Sequence, residues 1–157
     1  MKRKVLSLFV FVLAVPVFSV AQARPDFTGR WVIDQQQSTV GKKPPQLMTI
    51  VIKQTAKRIV IEQYRGGESR TIAYALDGSE STTKKSELTV DTLEKSRARW
   101  EGNTLVIETG INHENGNMRD KKQVLSLSSN GKVLTWMVTL SDSEGPQRTD
   151  MAVFNKQ

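Results

Sequence analysis

The sequence predicts an all-β protein in which about eight to ten strands form an antiparallel up-and-down meander, a closed or nearly closed barrel. Three observations support this prediction. Apolar residues recur at every second position in short segments, turn signals separate these segments, and no segment has a convincing helical period. So many strands in one domain must bury their edges. A closed barrel does so directly, and a sandwich of two sheets is the alternative.

Residues 1–23 differ from the rest of the chain, and we interpret them as a cleavable signal peptide. A basic start precedes an apolar stretch, residues 5–20, and the small-residue sequence Ala21-Gln22-Ala23 follows it. This order is typical of Sec-type export with cleavage after Ala23. The apolar stretch is shorter than the roughly 20 residues that span a bilayer, which disfavours an uncleaved anchor. We therefore expect one barrel domain, residues 24–157, in the periplasm or outside the cell.

The first strand opens with a glycine two residues before a tryptophan. In RPDFTGRWVID, residues 24–34, the positions of Phe27, Gly29 and Trp31 fall on one face because successive side chains of a strand alternate. The next segment, QQQSTVGKKPP at 35–45, contains a glycine and a pair of prolines. This composition predicts a loop.

Eight further strands follow, and hairpin turns separate several of them. Gly66-Gly67, Asp77-Gly78 and Asn130-Gly131 are clear turn signals, and Asn-Gly is the strongest of them. The predicted strands cover residues 46–53, 57–64, 70–76, 96–100, 104–108, 122–127, 132–140 and 147–155. Segment 89–96 offers at most one short helical turn. The polar, Asn-rich segment 111–120 is predicted to be a second long loop, and both long loops are expected at an open end of the barrel.

The tripeptide Gly29-x-Trp31 resembles the opening signature of lipocalins and their calycin relatives. The wider sequence Asp-Phe-x-Gly-x-Trp-x-Ile-Asp, at 26–34, and the hairpin WEGNTLVIE, at 100–108, resemble a group of secreted bacterial lipocalin-like proteins. The likeness covers most of residues 24–157. It implies a lipocalin-like barrel and an exported location, and it implies no reaction.

The same resemblance implies how three residues close the barrel. Trp31 would plug the narrow end, because an indole is the largest plug available. Gly29 would let a neighbouring backbone approach. Arg148, on the last predicted strand, would pack across the indole, since a guanidinium stacks favourably on its face.

Three aromatic residues, Tyr74, Trp100 and Trp136, are candidates for ligand binding. If they face inward, they could line an apolar cavity. The alternative is that they fill the core, because small barrels are packed by their own side chains. The leading hypothesis is an exported, non-enzymatic protein that binds a small apolar or amphipathic molecule inside the barrel.

The basic residues suggest an alternative partner. The formal charge of +7 falls to about +4 when the three basic residues of the signal are removed. Basic side chains recur in pairs, which are Lys42-Lys43, Lys84-Lys85, Arg97 with Arg99, and Lys121-Lys122. An envelope module could use them to contact an acidic partner or anionic surface, although lysines on outward faces also protect strand edges. Trp100 alternates away from the adjacent arginines, so we expect no nucleic-acid partner.

Residue types that commonly act in catalysis are scarce in this sequence. The chain has no cysteine and one histidine, His113, which lies in the predicted polar loop without a nucleophile elbow elsewhere. One histidine without a thiol argues against a transition-metal site. Glu62 and Glu108 could act together only if their strands were neighbours, and we expect both to face outward. The sequence therefore predicts no enzyme, no cofactor and no metal site.

Overall fold

The computed structural model describes residues 24–41, 45–87, 90–113, 118–142 and 145–157. The interpretation of residues 1–23 as a signal lies outside these ranges. Ten strands occur in the described residues: β1 (Gly29–Ile33), β2 (Met48–Gln54), β3 (Arg58–Arg65), β4 (Glu68–Ala75), β5 (Glu80–Glu87), β6 (Val90–Glu101), β7 (Thr104–His113), β8 (Met118–Leu127), β9 (Val133–Asp142) and β10 (Arg148–Lys156). No helix in this described part is long and apolar enough to cross a membrane.

The ten strands form one antiparallel sheet in the order β4-β3-β2-β1-β10-β9-β8-β7-β6-β5. The pairing of β1 with β10 joins the two ends of the described chain, with Trp31 opposite Lys156. β4 and β5 follow one another in sequence, but no ladder joins them. The sheet is therefore a nearly closed barrel with one unsealed seam, which confirms the predicted fold class.

Two polar stretches are more regular than the sequence predicts. β5 was not predicted, because ESTTKKSE at 80–87 has no apolar alternation, yet it pairs along its length with β6. The second predicted loop, 111–120, is mostly strand, because β7 runs to His113 and β8 begins at Met118. In both places, backbone hydrogen bonds to a neighbouring strand stabilise the extended conformation, although the segment lacks alternating apolar side chains.

The two ends of the barrel differ in their connections. Since the strands alternate in direction, the short connections β2–β3, β4–β5, β6–β7 and β8–β9 lie at one end with the N-terminal stretch 24–28. We call this the closed end. The opposite end, which we call the loop end, carries the connection 34–47 between β1 and β2 and the connection between β7 and β8. Both predicted long loops therefore belong to the same end.

The apolar core lies towards the closed end. Its members point inward from alternate positions of the strands, and the fully buried ones include Ile50, Ile52, Ile59, Ile61, Leu105, Ile107, Leu125, Leu134 and Phe154. Further towards the loop end, several inward positions of β6, β7 and β8 are polar and remain buried: Glu94, Ser96, Thr109 and Gln123. Ile111 is a buried apolar residue beside them. We call the region of the apolar core the apolar half of the interior and the region of these polar residues the polar half.

Candidate functional site

Trp31 lies at the closed end and is completely buried. Its indole Nε1–H donates a hydrogen bond of 3.0 Å to the carbonyl oxygen of Phe27. The ring of Phe27 in turn stacks on Trp100, with 5.9 Å between the centroids, and the Arg24 guanidinium lies 5.6 Å from the centre of Trp100. Three aromatic rings therefore fill this end of the barrel.

The cation on the Trp31 indole is Lys156, and the expectation for Arg148 is corrected here. The Lys156 ammonium lies 5.1 Å from the centre of the indole, because Lys156 is the register partner of Trp31. Arg148 is eight residues earlier, at the far end of β10, roughly 26 Å away along an extended strand. Its guanidinium instead pairs with Asp150 at 3.0 Å.

Gly29 makes room for this lysine. A Cβ at position 29 would lie 2.7 Å from Cε of Lys156, and the φ of Gly29 is +148°. The close neighbour is a lysine side chain, where the resemblance implied a neighbouring backbone. The positive φ is what requires glycine here, since the end of the lysine side chain could move aside.

The three predicted ligand residues face the interior. Tyr74 and Trp136 are buried, and Trp100 is partly buried against the same core. Trp136 packs at a tilt against Phe154, with 6.4 Å between the centroids. Neither indole N–H of Trp100 and Trp136 has a hydrogen-bond partner among the described residues. Their contact with a ligand remains a prediction.

Tyr74 lies where the apolar and polar halves meet. Its hydroxyl accepts a hydrogen bond of 3.3 Å from Nε2 of Gln123 on the far side of the barrel. Burial raises the pKa of Tyr74, so its hydroxyl stays neutral. Tyr74 therefore presents an uncharged polar group beside an apolar wall.

A buried ion cluster, Arg70, Glu94 and Lys121, forms the centre of the polar half. Nη2 of Arg70 lies 3.2 Å from both Glu94 oxygens, and Nζ of Lys121 lies 3.2 Å from Oε2. Only 8% of the Glu94 side chain is exposed, against 35% for Arg70 and 13% for Lys121. Burial alone would raise the pKa of Glu94, but Lys121 and Arg70 outweigh it and hold that pKa below its usual value. The cluster therefore combines one ionised carboxylate with two cations.

Sequence reasoning missed this ion cluster. The segment that contains Glu94 had no strand signal, although the neighbouring strand predicted at 96–100 places Ala98 and Trp100 on one face. If this strand is extended towards the N-terminus, every second residue lies on that same face, so the face also includes Ser96 and Glu94. Both of these residues are buried. Ser96 also shares a hydrogen bond of 2.9 Å with the hydroxyl of Thr109. The alternation of side chains between the two faces of this strand was the signal that could have identified these residues.

Side chains bridge the seam that lacks a backbone ladder. The Arg70–Glu94 pair joins β4 to β6, and the Ala75 N–H donates to Oγ of Ser81 at 2.9 Å. Outside these links lies a groove of about 700 Å³, lined by Lys57, Arg58, Thr71, Ala73, Tyr74, Ala75, Ser81, Thr82 and Thr83. The seam is thus held together at separate points along an open groove.

The carboxylates considered for catalysis do not come together. Glu62 pairs with Lys53 at 2.8 Å on β3, and Glu108 pairs with Arg99 at 2.7 Å on β7. These strands are not neighbours in the sheet. His113 is the last residue of β7, and its side chain lies outside the described part of the structure.

The paired basic residues are divided between the two faces of the sheet. Lys121 points into the barrel towards Glu94, whereas Lys122 is exposed. Arg97 and Arg99 both face outward, and each has an acidic partner, Glu80 for Arg97 and Glu108 for Arg99. Lys42-Lys43 lies outside the described residues. An anionic surface as partner remains a prediction.

The fold matches several solved structures. Secretory abundant heat soluble protein 4 from Ramazzottius varieornatus has a TM-score of 0.57 at 14% identity, over 87% of this chain and 99% of that one. Apo lipid binding protein 8 from Caenorhabditis elegans has a TM-score of 0.54 at 13% identity, over 83% and 95%. The REP1-NXSQ fatty acid transporter has a TM-score of 0.56 at 12% identity, over 83% and 96%. No family model and no curated protein matches the sequence.

These likenesses establish the fold. The chain has the barrel fold that the Gly29-x-Trp31 opening implied. At such low identity the likeness extends to architecture and not to individual residues.

Proposed function

We propose that this chain is an exported, non-enzymatic barrel protein that binds a small amphipathic molecule in its interior. The observation that carries the proposal is the division of the interior into an apolar half and a buried ion cluster. Burying charges is costly, and a purely structural core would be more stable with apolar residues of similar volume. A polar recognition site inside the barrel accounts for their presence.

The two halves suggest how the ligand would lie. Its apolar part would lie in the apolar half, towards the closed end from Ile72 and Tyr74. Its polar group would lie near Arg70 and Lys121. Arg70 keeps about a third of its side chain exposed while it pairs with Glu94, so an anionic or hydrogen-bond-accepting group beside it fits the cluster best. Tyr74 and Gln123 add neutral polar contacts at the boundary.

The structural comparisons support the same class of ligand. Two of the similar barrels are described as a lipid binding protein and a fatty acid transporter. Both descriptions concern binding or transport rather than catalysis. They make a lipid-like acid a suitable first probe.

The first experiment is native mass spectrometry of the protein purified under mild conditions, followed by titration with the fluorescent fatty acid cis-parinaric acid. We expect a co-purifying molecule or saturable binding of the probe. Substitution Arg70→Gln should weaken probe binding at least tenfold, because it removes a cation from the interior. Arg97→Gln, which changes an outward-facing arginine of the same chemistry, should leave binding unchanged. Equal binding by both variants would contradict the proposed site.

The export step has its own test. Residues 1–23 would be removed, and the chain would begin at Arg24, whose side chain lies over Trp100. Expression of the complete sequence in a Gram-negative host, with cell fractionation and N-terminal sequencing, should recover a periplasmic or secreted chain that starts at Arg24. A cytoplasmic, full-length product would contradict export.

A further inference from the structure

β4 ends the sheet with a backbone edge that no ladder covers. The Ala75 N–H points across the seam, where Oγ of Ser81 accepts its hydrogen bond. The next amide, that of Leu76, points the other way and bonds to the Lys57 carbonyl. Because backbone groups alternate between the two sides of a strand, the N–H and C=O of Ala73 and Thr71 also point into the seam.

The side chains along this edge leave it accessible. Thr71, Ala73 and Ala75 alternate on the outer face of β4, and all three are small and uncharged. Natural edge strands are usually protected by lysine, proline or a covering segment, and positions 71–75 contain neither residue. The groove beside them, about 700 Å³, is large enough for a ligand of several residues.

The closed end of this groove is basic. Lys57 and Arg58 both line it, and Arg58 is the register partner of Ala75 on β3. The methyl group of Ala75 is too small to cover the arginine. Within the described residues, no carboxylate lies in salt-bridge distance of Arg58. An acidic group at this end of the groove would find a cation on the protein.

We propose that the free edge of β4 binds an extended peptide segment, which adds to the sheet as an antiparallel strand and places an acidic residue near its N-terminus against Arg58. An extended polypeptide offers donors and acceptors at the two-residue repeat that Thr71 and Ala73 present. Since β4 runs towards the closed end, an antiparallel partner begins there, which puts its N-terminus beside Arg58. This site lies outside the barrel and is independent of the interior ligand.

The test uses the hexapeptide acetyl-DTVTVT-amide and amide-resolved NMR of the isotope-labelled protein. With saturating peptide, we expect hydrogen exchange at Thr71 and Ala73 to slow at least tenfold, because their amides gain acceptors. A peptide with proline in place of its first valine lacks a backbone N–H and should not protect these amides. A peptide with lysine in place of aspartate should bind more weakly at low ionic strength.

Two variants locate the site on the protein. Ala73→Pro removes an N–H that faces the seam and no hydrogen bond to β3, so the sheet should persist while peptide binding falls at least tenfold. Thr71→Lys introduces edge protection without a backbone change and should have the same effect if the proline variant fails to fold. Arg58→Glu should reverse the preference, so that the lysine peptide binds better than the aspartate peptide.

Three outcomes would overturn the proposal. The first is equal exchange of Thr71 and Ala73 with and without peptide, and the second is wild-type peptide binding by the Ala73→Pro and Thr71→Lys variants. Protection of these amides by self-association at high protein concentration, without peptide, would assign the edge to a second copy of the chain instead. None of these outcomes affects probe binding in the barrel, so the two proposals fail separately.

Discussion

Trp31 shows how one side chain is held by neighbours from both ends of the described chain. Phe27 accepts its indole hydrogen within the N-terminal segment, and Lys156 covers one face beside Gly29. The contact with Lys156 depends on the β1–β10 pairing, which joins the first and last described strands. The packing at this one residue therefore reports on closure of the sheet.

Gly29→Ala should destabilise the protein by about 1–3 kcal/mol, because a side chain is added at a φ of +148°. Urea unfolding measures the change. The matched control is Gly110→Ala in β7, where a Cβ would meet open space and φ is not positive. That substitution should be neutral or stabilise by up to about 1 kcal/mol, since glycine weakens strand interiors. Equal effects of the two substitutions would contradict the role given to Gly29.

Lys156→Ala should cost about 0.5–1 kcal/mol of unfolding free energy through loss of the cation on the indole. Arg148→Ala should change stability by no more than about 0.5 kcal/mol, because 60% of the Arg148 side chain is exposed. Thermal unfolding of both variants, followed by tryptophan fluorescence, distinguishes the two cations. A larger loss for Arg148→Ala would restore the original assignment.

At the scale of strands, β4 and β5 differ from the other strands because only one edge of each is paired by backbone. The other edge of β4 is joined by Arg70–Glu94 and by Ala75–Ser81. Amides on the two sides of this strand should therefore behave differently. In the free protein, we expect Thr71 and Ala73 to exchange at least tenfold faster than Ile72 and Tyr74, whose amides face β3. Uniform protection along β4 would mean that the seam is sealed in solution.

The ion cluster makes the seam sensitive to the charge of Glu94. Glu94→Gln should destabilise by about 1–3 kcal/mol, because it removes the buried carboxylate that Arg70 and Lys121 share. Glu108→Gln removes a carboxylate that is half exposed on the outer face and should cost much less. Guanidinium unfolding at neutral pH provides the comparison. Similar losses for both would contradict the burial of the cluster.

Acid should remove part of the stability that Glu94 provides. Lys121 and Arg70 overcome the effect of burial and lower the pKa of Glu94 from its ordinary 4.5 in the folded state. The folded chain then resists protonation more than the unfolded chain, so this contribution is present above pH 4.5 and is lost as the pH falls through the folded pKa. The stability difference between wild type and Glu94→Gln should shrink over that range. A constant difference down to low pH would contradict the lowered pKa.

At the scale of the whole molecule, one core connects strands from every part of the described chain. All three tryptophans belong to this core or pack on it, on β1, β6 and β9. Unfolding should therefore be a single cooperative transition in which tryptophan fluorescence and far-ultraviolet circular dichroism change together. Separate midpoints for the two signals would show that one part of the barrel opens first.

The alternation of apolar residues predicted most strands correctly and failed in two regions. Apolar alternation located β2, β3, β9 and β10 to within a few residues, because each has one face in the apolar core. β5 and the start of β6 had no such pattern, since their inward neighbours lie in the polar half. The long second loop was predicted from polar composition, and the ladder between β7 and β8 overrode it.

The candidate site was only partly predictable. Tyr74, Trp100 and Trp136 were candidates for the inward face from the alternation on their own strands, which is local information, and all three do face the interior. Glu94, Arg70 and Lys121 lie on three strands that are separated by about 25 residues in sequence, so nothing local links them. The same reason explains Lys156, whose role depends on the register between β1 and β10.

An all-β meander, its turn positions and the inward face of most strands follow from the amino-acid sequence alone, because alternation and turn chemistry involve residues close together in the chain. Which cation covers Trp31, which charges meet inside the barrel and where the sheet stays unsealed were decided by tertiary structure. These features depend on register and curvature, which arise only when distant strands pair.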